Sequence, residues 1–503
     1  SNNEMRMGVV LSYLNLAIGC IIPLFYTPIM LEILGQEEYG LFSLSNSVVG
    51  YLSLLSFGIG SAVIRYIDMY RAKQDTEGVK RVAGLFLILY SVIAVLVMTG
   101  GVVLSSVSGT LFAEGLTGEE INRLRVLILI MAASMAISFS VCVFAAVVLA
   151  YERYIFSRAV QVLQTILLPL MNLAALYAGG GAVGLAACSL ILQILSGPVY
   201  MAYCARKLDI WPSFRNMPVH LLREIGVFCA FVCLSSIVDM LYWATDKVLI
   251  GAAMGTAAVA VYNIGGVFTS MMQSIAGAIN NIFSPRVTMM VMEDKPMDQL
   301  SEMMIKMGRI QYLIISFILS GYIVFGQKFI ALWAGDGYQD AYWIALITML
   351  PLAVPLIQNV AFTAIVAANK HRFRSIIYAV IAVINVISTW LILPYHGIIG
   401  AAVCTGAAYI IGNGIIMNYY YHRVIGFDIS KFWINIGSMS LVPLAMIVVG
   451  LLLIRWGLPM DTVSWFFLWV VVYSVIFWML SWFASMNSGE KEAVKDIIWK
   501  LRK

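Results

Sequence analysis

Beyond Glu224 at its start, one apolar stretch of the sequence, residues 224–252, contains three charged residues: Asp239, Asp246 and Lys247. A charge near the middle of a bilayer costs about 2.5–3.5 kcal/mol on insertion scales, and such charges usually serve a function. Asp239 and Asp246 are seven residues apart, so they share one face of a helix. These residue types predict that Asp239 or Asp246 binds a coupling cation, H⁺ or Na⁺, and that Lys247 attracts an anion. A second interpretation stays open, in which Lys247 pairs with an aspartate and fixes helix packing alone.

Four arginines occupy positions where an anion would approach or leave a membrane protein. Arg65 and Arg286 end the second and eighth apolar stretches, and they are predicted to flank the inner mouth of a polar path. Arg123 and Arg125 begin the fourth stretch on the opposite side, where they would receive the anion as it leaves. For Arg65 and Arg286, the alternative is that their charge only sets the orientation of the chain in the membrane. Arg123 and Arg125 break that pattern, because they lie on the predicted outer side.

The composition identifies the environment in which these residues act. Of the 503 residues, 61% are hydrophobic and 11% are charged, and the mean hydropathy is +0.91. A soluble protein carries about 25% charged residues, so a soluble enzyme, a nucleic-acid-binding protein and a secreted domain are excluded. The net charge of +5 therefore indicates no nucleic-acid partner. The seven cysteines lie in or beside apolar stretches without the ligand spacing of a metal site, and no metal is expected.

Hydropathy predicts an all-α polytopic membrane protein, because a helix of about 20 apolar residues spans a bilayer. Fourteen transmembrane helices are expected, at residues 8–34, 39–64, 82–107, 123–150, 157–178, 182–205, 224–252, 256–284, 308–330, 340–367, 374–394, 397–420, 434–456 and 462–485. The segments on one side carry 26 of the 31 lysines and arginines, and those on the other carry four. Since positive residues favour the cytoplasmic side, both termini are predicted to lie inside the cell. Two inner segments, Asp298–Arg309 and Glu490–Lys503, are amphipathic and are expected on the inner leaflet.

The sequence repeats itself at an offset of about 218 residues. The segment 34–42 matches 254–262, and 181–186 matches 397–402. Each repeat holds six predicted helices, and parallel repeats of this kind surround a central substrate path in transporters. The predicted domains are an N-lobe at 1–222, a C-lobe at 223–425, two further helices at 426–487 and an amphipathic cytoplasmic tail at 488–503.

Three motifs resemble those of a known group of transporters. They are Pro28…Leu34-Gly35-x-x-x-Tyr39-Gly40-Leu41, Gly58-Ile59-Gly60…Arg65 and Thr245-Asp246-Lys247-Val248-Leu249-Ile250-Gly251…Gly255. With two parallel six-helix repeats and two extra helices, the chain is similar to the multidrug/oligosaccharidyl-lipid/polysaccharide exporter superfamily. The motifs are typical of its polysaccharide-transporter branch, the Wzx-type lipid-linked oligosaccharide flippases.

The resemblance implies a function and a set of partners. It implies alternating-access export of undecaprenyl-diphosphate-linked oligosaccharide repeat units, coupled to a cation or to the membrane potential. The units would move from the inner to the outer leaflet of the bacterial cytoplasmic membrane, for O-antigen, capsule or related polymers. The implied partners are this lipid-linked substrate, membrane lipids, and the polymerase and chain-length proteins of the same pathway. No cofactor is implied beyond the coupling ion.

Neutral polar residues in the predicted helices are candidates for hydrogen bonds with the sugar hydroxyls. They are Tyr26, Asn46, Gln273 and Asn280, followed by Asn15, Gln161, Gln164, Asn172, Asn263 and Asn281. The alternative for each is a hydrogen bond that holds neighbouring helices together.

Two other function classes compete with the flippase hypothesis. A multidrug or organic-cation antiporter of the same fold is favoured if aspartates dominate the substrate path without nearby cations. A membrane glycosyltransferase or polymerase would need a long outer loop or acidic catalytic residues on the outer face, whereas the outer connections here are mostly short. No Gly-x-x-x-x-Gly-Lys phosphate loop occurs in the sequence, so the chain is not expected to be an ATPase or another enzyme.

Overall fold

The structure, a computed structural model, is built of helices and describes most of the chain. The described residues are 2–56, 59–218, 221–226, 236–237, 240–242, 244–368, 370, 372–457, 460 and 462–492. The chain divides into two compact units, Ser1–Asn263 and Ile264–Lys503. The predicted N-lobe ends at residue 222, because that boundary comes from the sequence repeat, whereas the first compact unit extends to Asn263. The predicted lobes stay a prediction.

The described helices of the N-terminal unit are long and mostly apolar. They are α1 (Asn2–Gly50), α2 (Ile59–Ala72), α3 (Thr76–Leu111), α4 (Gly118–Ala150), α5 (Tyr154–Tyr177), α6 (Gly181–Lys207) and α7 (Thr245–Met254). Helix α8 (Thr256–Met292) begins in this unit and continues into the next. Within the unit α4 packs along α3 and α6, and α1 packs along α5.

The C-terminal unit is arranged around one long helix. Its helices after α8 are α9 (Met297–Trp333), α10 (Asp340–Ile357), α11 (Asn359–Ala367), α12 (Arg372–Tyr409), α13 (Ile429–Met439), α14 (Leu441–Arg455) and α15 (Val463–Leu480). Helix α9 contacts α10, α13, α14 and α15. The core cluster between α9, α14 and α15 includes Val324, Phe325, Val442, Met446, Phe466, Tyr473 and Phe477.

Among the described residues, ten helical segments are long and apolar enough to cross a membrane. The chain is therefore a multi-pass membrane protein, as predicted. Two of the segments, Val10–Ser56 and Arg372–Ile425, are 47 and 54 residues long. Each contains one glycine with non-helical backbone, Gly35 or Gly397, at a predicted boundary between two helices. The count of fourteen helices and the inside location of both termini stay predictions.

Two pairs of glycines that the sequence repeat relates share an unusual backbone conformation. Gly35 has φ 77° and ψ 171°, and Gly255 has φ 86° and ψ −177°. Gly181 and Gly397 also have positive φ, 55° and 60°. Only glycine adopts positive φ with extended ψ at low cost. The repeat in the sequence thus corresponds to a repeated turn in the backbone.

Gly40, the second glycine of the first motif, permits a close approach of two helices. It lies in α1, and a Cβ atom added to it would overlap the backbone carbonyl of Thr256, the first residue of α8. Backbone atoms cannot move aside as a flexible side chain can. The motif therefore needs glycine here because of packing.

We expect Gly40→Ala to lower the free energy of unfolding by about 1–3 kcal/mol, the usual cost of overpacking. The thermal unfolding midpoint of the purified protein in detergent measures the effect. Gly19→Ala is the matched control in the same helix, since an added Cβ at Gly19 meets no atom within 4 Å. Equal midpoints for the two variants would contradict the packing role of Gly40.

The two predicted amphipathic segments take different forms. Asp298–Arg309 forms the first turns of α9, with Met303 and Met304 buried and Glu302 exposed. Arg309 is buried, and so is Glu490 at the start of the predicted tail. The part of the tail beyond residue 492 lies outside the described residues. Glu490 is therefore an internal anchor, whereas the sequence places it on the membrane surface.

Candidate functional site

The charged residues predicted within the seventh span begin a helix in the structure. Helix α7 carries Asp246 and Lys247 in its first turn, directly after Thr245. A carboxylate in the first turn is stabilised by the partial positive charge of the free backbone amides. Asp239, the other predicted cation ligand, lies outside the described residues.

Asp246 is buried and receives a hydrogen bond from a tyrosine. Its exposed fraction is 2%, and the Tyr262 hydroxyl of α8 donates to its Oδ2 at 2.6 Å. A tyrosine hydroxyl can donate to an ionised carboxylate and accept from a protonated one. The pair can therefore accommodate both protonation states of Asp246.

Lys247 begins a chain of hydrogen bonds that joins three helices. Its Nζ donates to Asn263 Oδ1 of α8 at 2.6 Å, and Asn263 Nδ2 donates to the Tyr39 hydroxyl of α1 at 2.7 Å. The ammonium group carries three donors, so this one bond leaves capacity for a ligand. Because Asn263 is a neutral amide, its hydrogen bond does not neutralise the positive charge of Lys247.

A third contact completes the group. The hydroxyls of Thr245 and Tyr51 lie 2.5 Å apart, and Tyr51 follows directly after α1. We call this group the α7 polar cluster, and its members are Tyr39, Tyr51, Thr245, Asp246, Lys247, Tyr262 and Asn263. It contains a buried carboxylate and an amine within one apolar unit, a combination that can bind a cation and an anion at neighbouring positions.

A hydrogen bond to a glutamate joins the first turn of α4 to the first residue of α8. Glu120 accepts a hydrogen bond from the Thr256 hydroxyl at 2.7 Å and also closes a capping box with Thr117. Arg123 forms ion pairs with Glu119 at 2.8 Å and with Glu38 at 3.8 Å. The predicted anion-release arginine Arg123 thus has two carboxylates beside it, which reduce its attraction for an anion.

Arg125, the second predicted release residue, is directed into the unit. Its Nη1 donates to Asn122 at 3.4 Å, and its guanidinium lies beside Gly109 of α3. Its Nε is buried and has no hydrogen-bond partner among the described residues. Arg125 therefore holds one unused donor between α3 and α4.

Arg65 is exposed near a cleft at the predicted cytoplasmic end of the N-terminal unit. Its guanidinium carbon is 6.0 Å from the centre of the Tyr66 ring. The cleft, about 630 Å³, is lined by residues of α2, which include Asp68 and Arg71, by the ends of α4 and α5, and by Glu152 of the turn between α4 and α5. Burial raises the pKa of the Asp68 carboxyl, although Arg71 acts in the opposite direction.

The remaining predicted ligand residues are dispersed. Tyr26 lies next to Asn172 of α5, and Asn46 donates to the Phe42 carbonyl of its own helix. In the C-terminal unit Arg286 is exposed, and Gln273 and Asn280 are half-buried.

The other polar candidates also differ in their contacts. The Thr165 hydroxyl donates to Asn15 at 2.8 Å, and Arg158 donates to Gln161 at 2.8 Å. Both contacts hold helices or turns together. Of all the polar candidates, only Asn263 belongs to the α7 polar cluster.

Sequence reasoning missed the tyrosines of the cluster as functional candidates. Tyr39 stands in the first family motif, but its role there was not assigned. Tyr262 follows Asp246 by 16 residues, beyond the Gly255 turn. No group of three metal-binding side chains occurs in the part of the chain that the structure describes.

Comparison with known proteins gives consistent results. Residues 7–291 match the family described as "Polysaccharide biosynthesis protein". A relative from Bacillus subtilis (strain 168), "Uncharacterized membrane protein EpsK", is 24% identical over 420 residues, which are 80% of each chain.

Two solved structures share the fold. The inward closed conformation of the lipid II flippase MurJ has a TM-score of 0.69 at 14% identity, and the likeness covers 94% of this chain and 97% of that one. An inward-facing MATE family multidrug resistance transporter of the MOP superfamily has a TM-score of 0.60 at 16% identity, covering 84% and 98%. The helical architecture and the family match over more than half of the sequence confirm the resemblance to the polysaccharide-transporter branch of this superfamily, and the chain belongs to the polysaccharide biosynthesis protein family.

Proposed function

We propose that the protein is a flippase for oligosaccharides linked to undecaprenyl diphosphate, in the cytoplasmic membrane of a bacterium. The observation that carries the proposal is the α7 polar cluster, which places a buried carboxylate and an amine inside an apolar helical unit. Membership in a polysaccharide biosynthesis family and a fold shared with a lipid II flippase support this substrate class. The polymer made from the exported units, O-antigen, capsule or a related one, is part of the same proposal.

The physical task explains why such a cluster is needed. A sugar diphosphate cannot cross hydrocarbon unaided, because each unsatisfied polar group costs several kcal/mol there. The protein must offer polar partners to the headgroup while the prenyl chain stays in lipid. An inside-negative potential favours outward movement of two negative charges by about 4–5 kcal/mol per 100 mV, if they cross the whole field.

The cluster supplies the two interactions that coupled export requires. Lys247 attracts the diphosphate, and Asp246, with Asp239 as a second ligand, takes up the coupling H⁺ or Na⁺. Because Lys247 follows Asp246 directly in the first turn of α7, a change in the charge of the aspartate alters the potential at the amine. This coupling is electrostatic and needs no cofactor.

We expect Lys247→Gln to lower export about tenfold or more, because a hydrogen bond from a charged group contributes about 1.5–3 kcal/mol. Glutamine can still donate to Asn263, so the bond that joins α7 and α8 is retained. Accumulated lipid-linked oligosaccharide in cells that carry the variant measures the defect. Lys306→Gln, at an exposed position of α9, is the control for loss of one lysine. Equal export by both variants would show that Lys247 does not bind the substrate.

A multidrug or organic-cation antiporter is the second candidate function. The shared fold with a MATE transporter and the buried position of Asp246 favour it, since a buried carboxylate suits a cationic substrate. Lys247 beside that carboxylate is the argument against it.

Lipid mass spectrometry of cells that lack this protein separates the two functions. A flippase predicts that an undecaprenyl-diphosphate oligosaccharide accumulates while the cognate surface polymer disappears, and the mass of the lipid identifies the sugar. Unchanged lipids and polymer, together with altered sensitivity to cationic drugs, would reject the flippase and favour the antiporter.

A further inference from the structure

Arg374, near the start of α12 at the predicted cytoplasmic end of the C-terminal unit, is held between two aromatic rings. Its guanidinium carbon lies 3.9 Å from the centre of the Phe362 ring of α11 and 4.2 Å from that of Tyr378. Such stacking attracts the cation to the ring faces and fixes the plane of the guanidinium. The side chain is therefore restrained before any ligand binds.

A buried polar network fixes one of the two rings. The Tyr378 hydroxyl donates to Asn413 Oδ1, and Asn418 Nδ2 donates to the Asn413 carbonyl at 2.7 Å. Asn418 Oδ1 in turn accepts from Gln358 at 2.8 Å and from Trp433 Nε1 at 2.9 Å. Gln358, Asn413 and Asn418 are all buried. A connected buried network of this kind holds its members in one arrangement, and here it orients the ring on which Arg374 stacks.

The donors of Arg374 have no protein partner in the described part of the chain. Its guanidinium forms no hydrogen bond or ion pair with any residue there, and the same is true of the exposed side chains of Lys370 and Arg372. An arginine fork presents paired N–H groups that match the oxygens of a phosphate. One prearranged fork, with two exposed cations close to it in the sequence and no carboxylate partner for any of the three among the described residues, is suited to an anion.

The sequence repeat shows that helix packing does not require this charge. At the offset of 218 the equivalent of Arg374 is Phe156, whose ring stacks on Tyr203 at 3.7 Å. The first repeat thus fills the position with an apolar ring. Orientation in the membrane requires a positive charge, but it requires neither a fixed plane nor aromatic partners.

We propose that Arg374, with Lys370 and Arg372, binds the phosphate ester of a lipid headgroup in the inner leaflet. Two lipids carry this chemistry, an anionic phospholipid and a prenyl diphosphate. Where the ligand is the prenyl diphosphate, the site is the first contact of the proposed flippase substrate and the inference rests on that function.

Lipid binding to the purified full-length protein tests the site. The protein is placed in nanodiscs of phosphatidylcholine, and either phosphatidylglycerol or undecaprenyl diphosphate is titrated in. Arg374→Lys keeps the charge but loses the planar fork, and we expect it to weaken binding of at least one lipid about tenfold. Arg206→Lys, at an exposed position in the last turn of α6 and outside the proposed site, is the matched control and should change affinity less than about twofold.

The two lipids separate the sources of the phosphate. Loss confined to undecaprenyl diphosphate identifies a substrate site, and loss of phosphatidylglycerol binding identifies a phospholipid site. Wild-type affinity of Arg374→Lys for both lipids, or equal losses in Arg374→Lys and Arg206→Lys, would overturn the proposal. Phe362→Leu, which keeps the arginine and removes one ring, provides a second variant and should also weaken binding. Because the readout is binding, the result does not depend on whether the protein transports an oligosaccharide.

Discussion

Asp246→Asn should lower export of the lipid-linked oligosaccharide by about 50-fold or more, the equivalent of about 2–3 kcal/mol for loss of a charged interaction. Asparagine has the shape of aspartate, and its amide oxygen can still accept the hydrogen bond of Tyr262. It can neither ionise nor take up a proton. The packing of α7 against α8 is therefore retained, and the amount of protein in the membrane should not change.

Complementation of cells that lack the protein measures this effect. The lipid-linked intermediate and the surface polymer are quantified together, and the membrane level of each variant is followed by immunoblot. Asp336→Asn, an exposed carboxylate, controls for the loss of one negative charge. If Asp246→Asn restores wild-type polymer, the coupling role of Asp246 is wrong and the carboxylate serves packing alone.

The sequence locates Asp246 and Lys247 because a charge in an apolar stretch is conspicuous. It does not locate their partners, since Tyr39 is an unremarkable aromatic residue and lies 224 residues before Asn263. Side chains meet across helices through the packing of the whole unit, and that packing has no local signal. Arg374 was missed for the same reason, because its charge has an adequate explanation in the orientation of the chain.

Hydropathy predicts most of the helices and only some of the breaks within them. It places a boundary near Gly35, where the backbone does leave the helical conformation. It also predicts one helix at 434–456, where the structure has α13 and α14 separated at Ser440. Hydropathy measures the free energy of transferring side chains from water to an apolar phase. This free energy does not change when the backbone bends between two apolar segments.

The burial of Glu490 could not be predicted for a related reason, and the inner-leaflet position of the tail as a whole stays a prediction. The neighbours of Glu490 in the sequence are polar and charged, which is typical of a solvated segment. Its ion-pair partner Arg309 lies 181 residues away, and no pattern in the sequence relates the two. A buried ion pair between distant segments can therefore be identified only from the folded structure.

The second large effect concerns this ion pair, which is bidentate. Arg309 Nε and Nη2 donate to the two carboxylate oxygens of Glu490 at 2.7 and 3.1 Å, and Nη2 also donates to the Ser485 carbonyl. Both residues are 7% exposed. We expect Glu490→Gln to lower the free energy of unfolding by about 3 kcal/mol or more, because it leaves the guanidinium buried without a compensating charge.

A double variant that also removes the charge of Arg309 should regain the free energy of unfolding that Glu490→Gln loses. Arg309→Met combined with Glu490→Leu replaces the pair by apolar side chains of similar size, a change that is often neutral or stabilising. Thermal unfolding midpoints of the purified proteins in detergent give the comparison. Glu152→Gln removes one partner of an exposed pair, in which Arg71 and Glu152 lie 3.2 Å apart with side chains 37% and 49% exposed, and it should cost less than about 1 kcal/mol. If Glu490→Gln destabilises the protein no more than Glu152→Gln does, the anchor between α9 and the segment that follows Ser485 contributes nothing to stability.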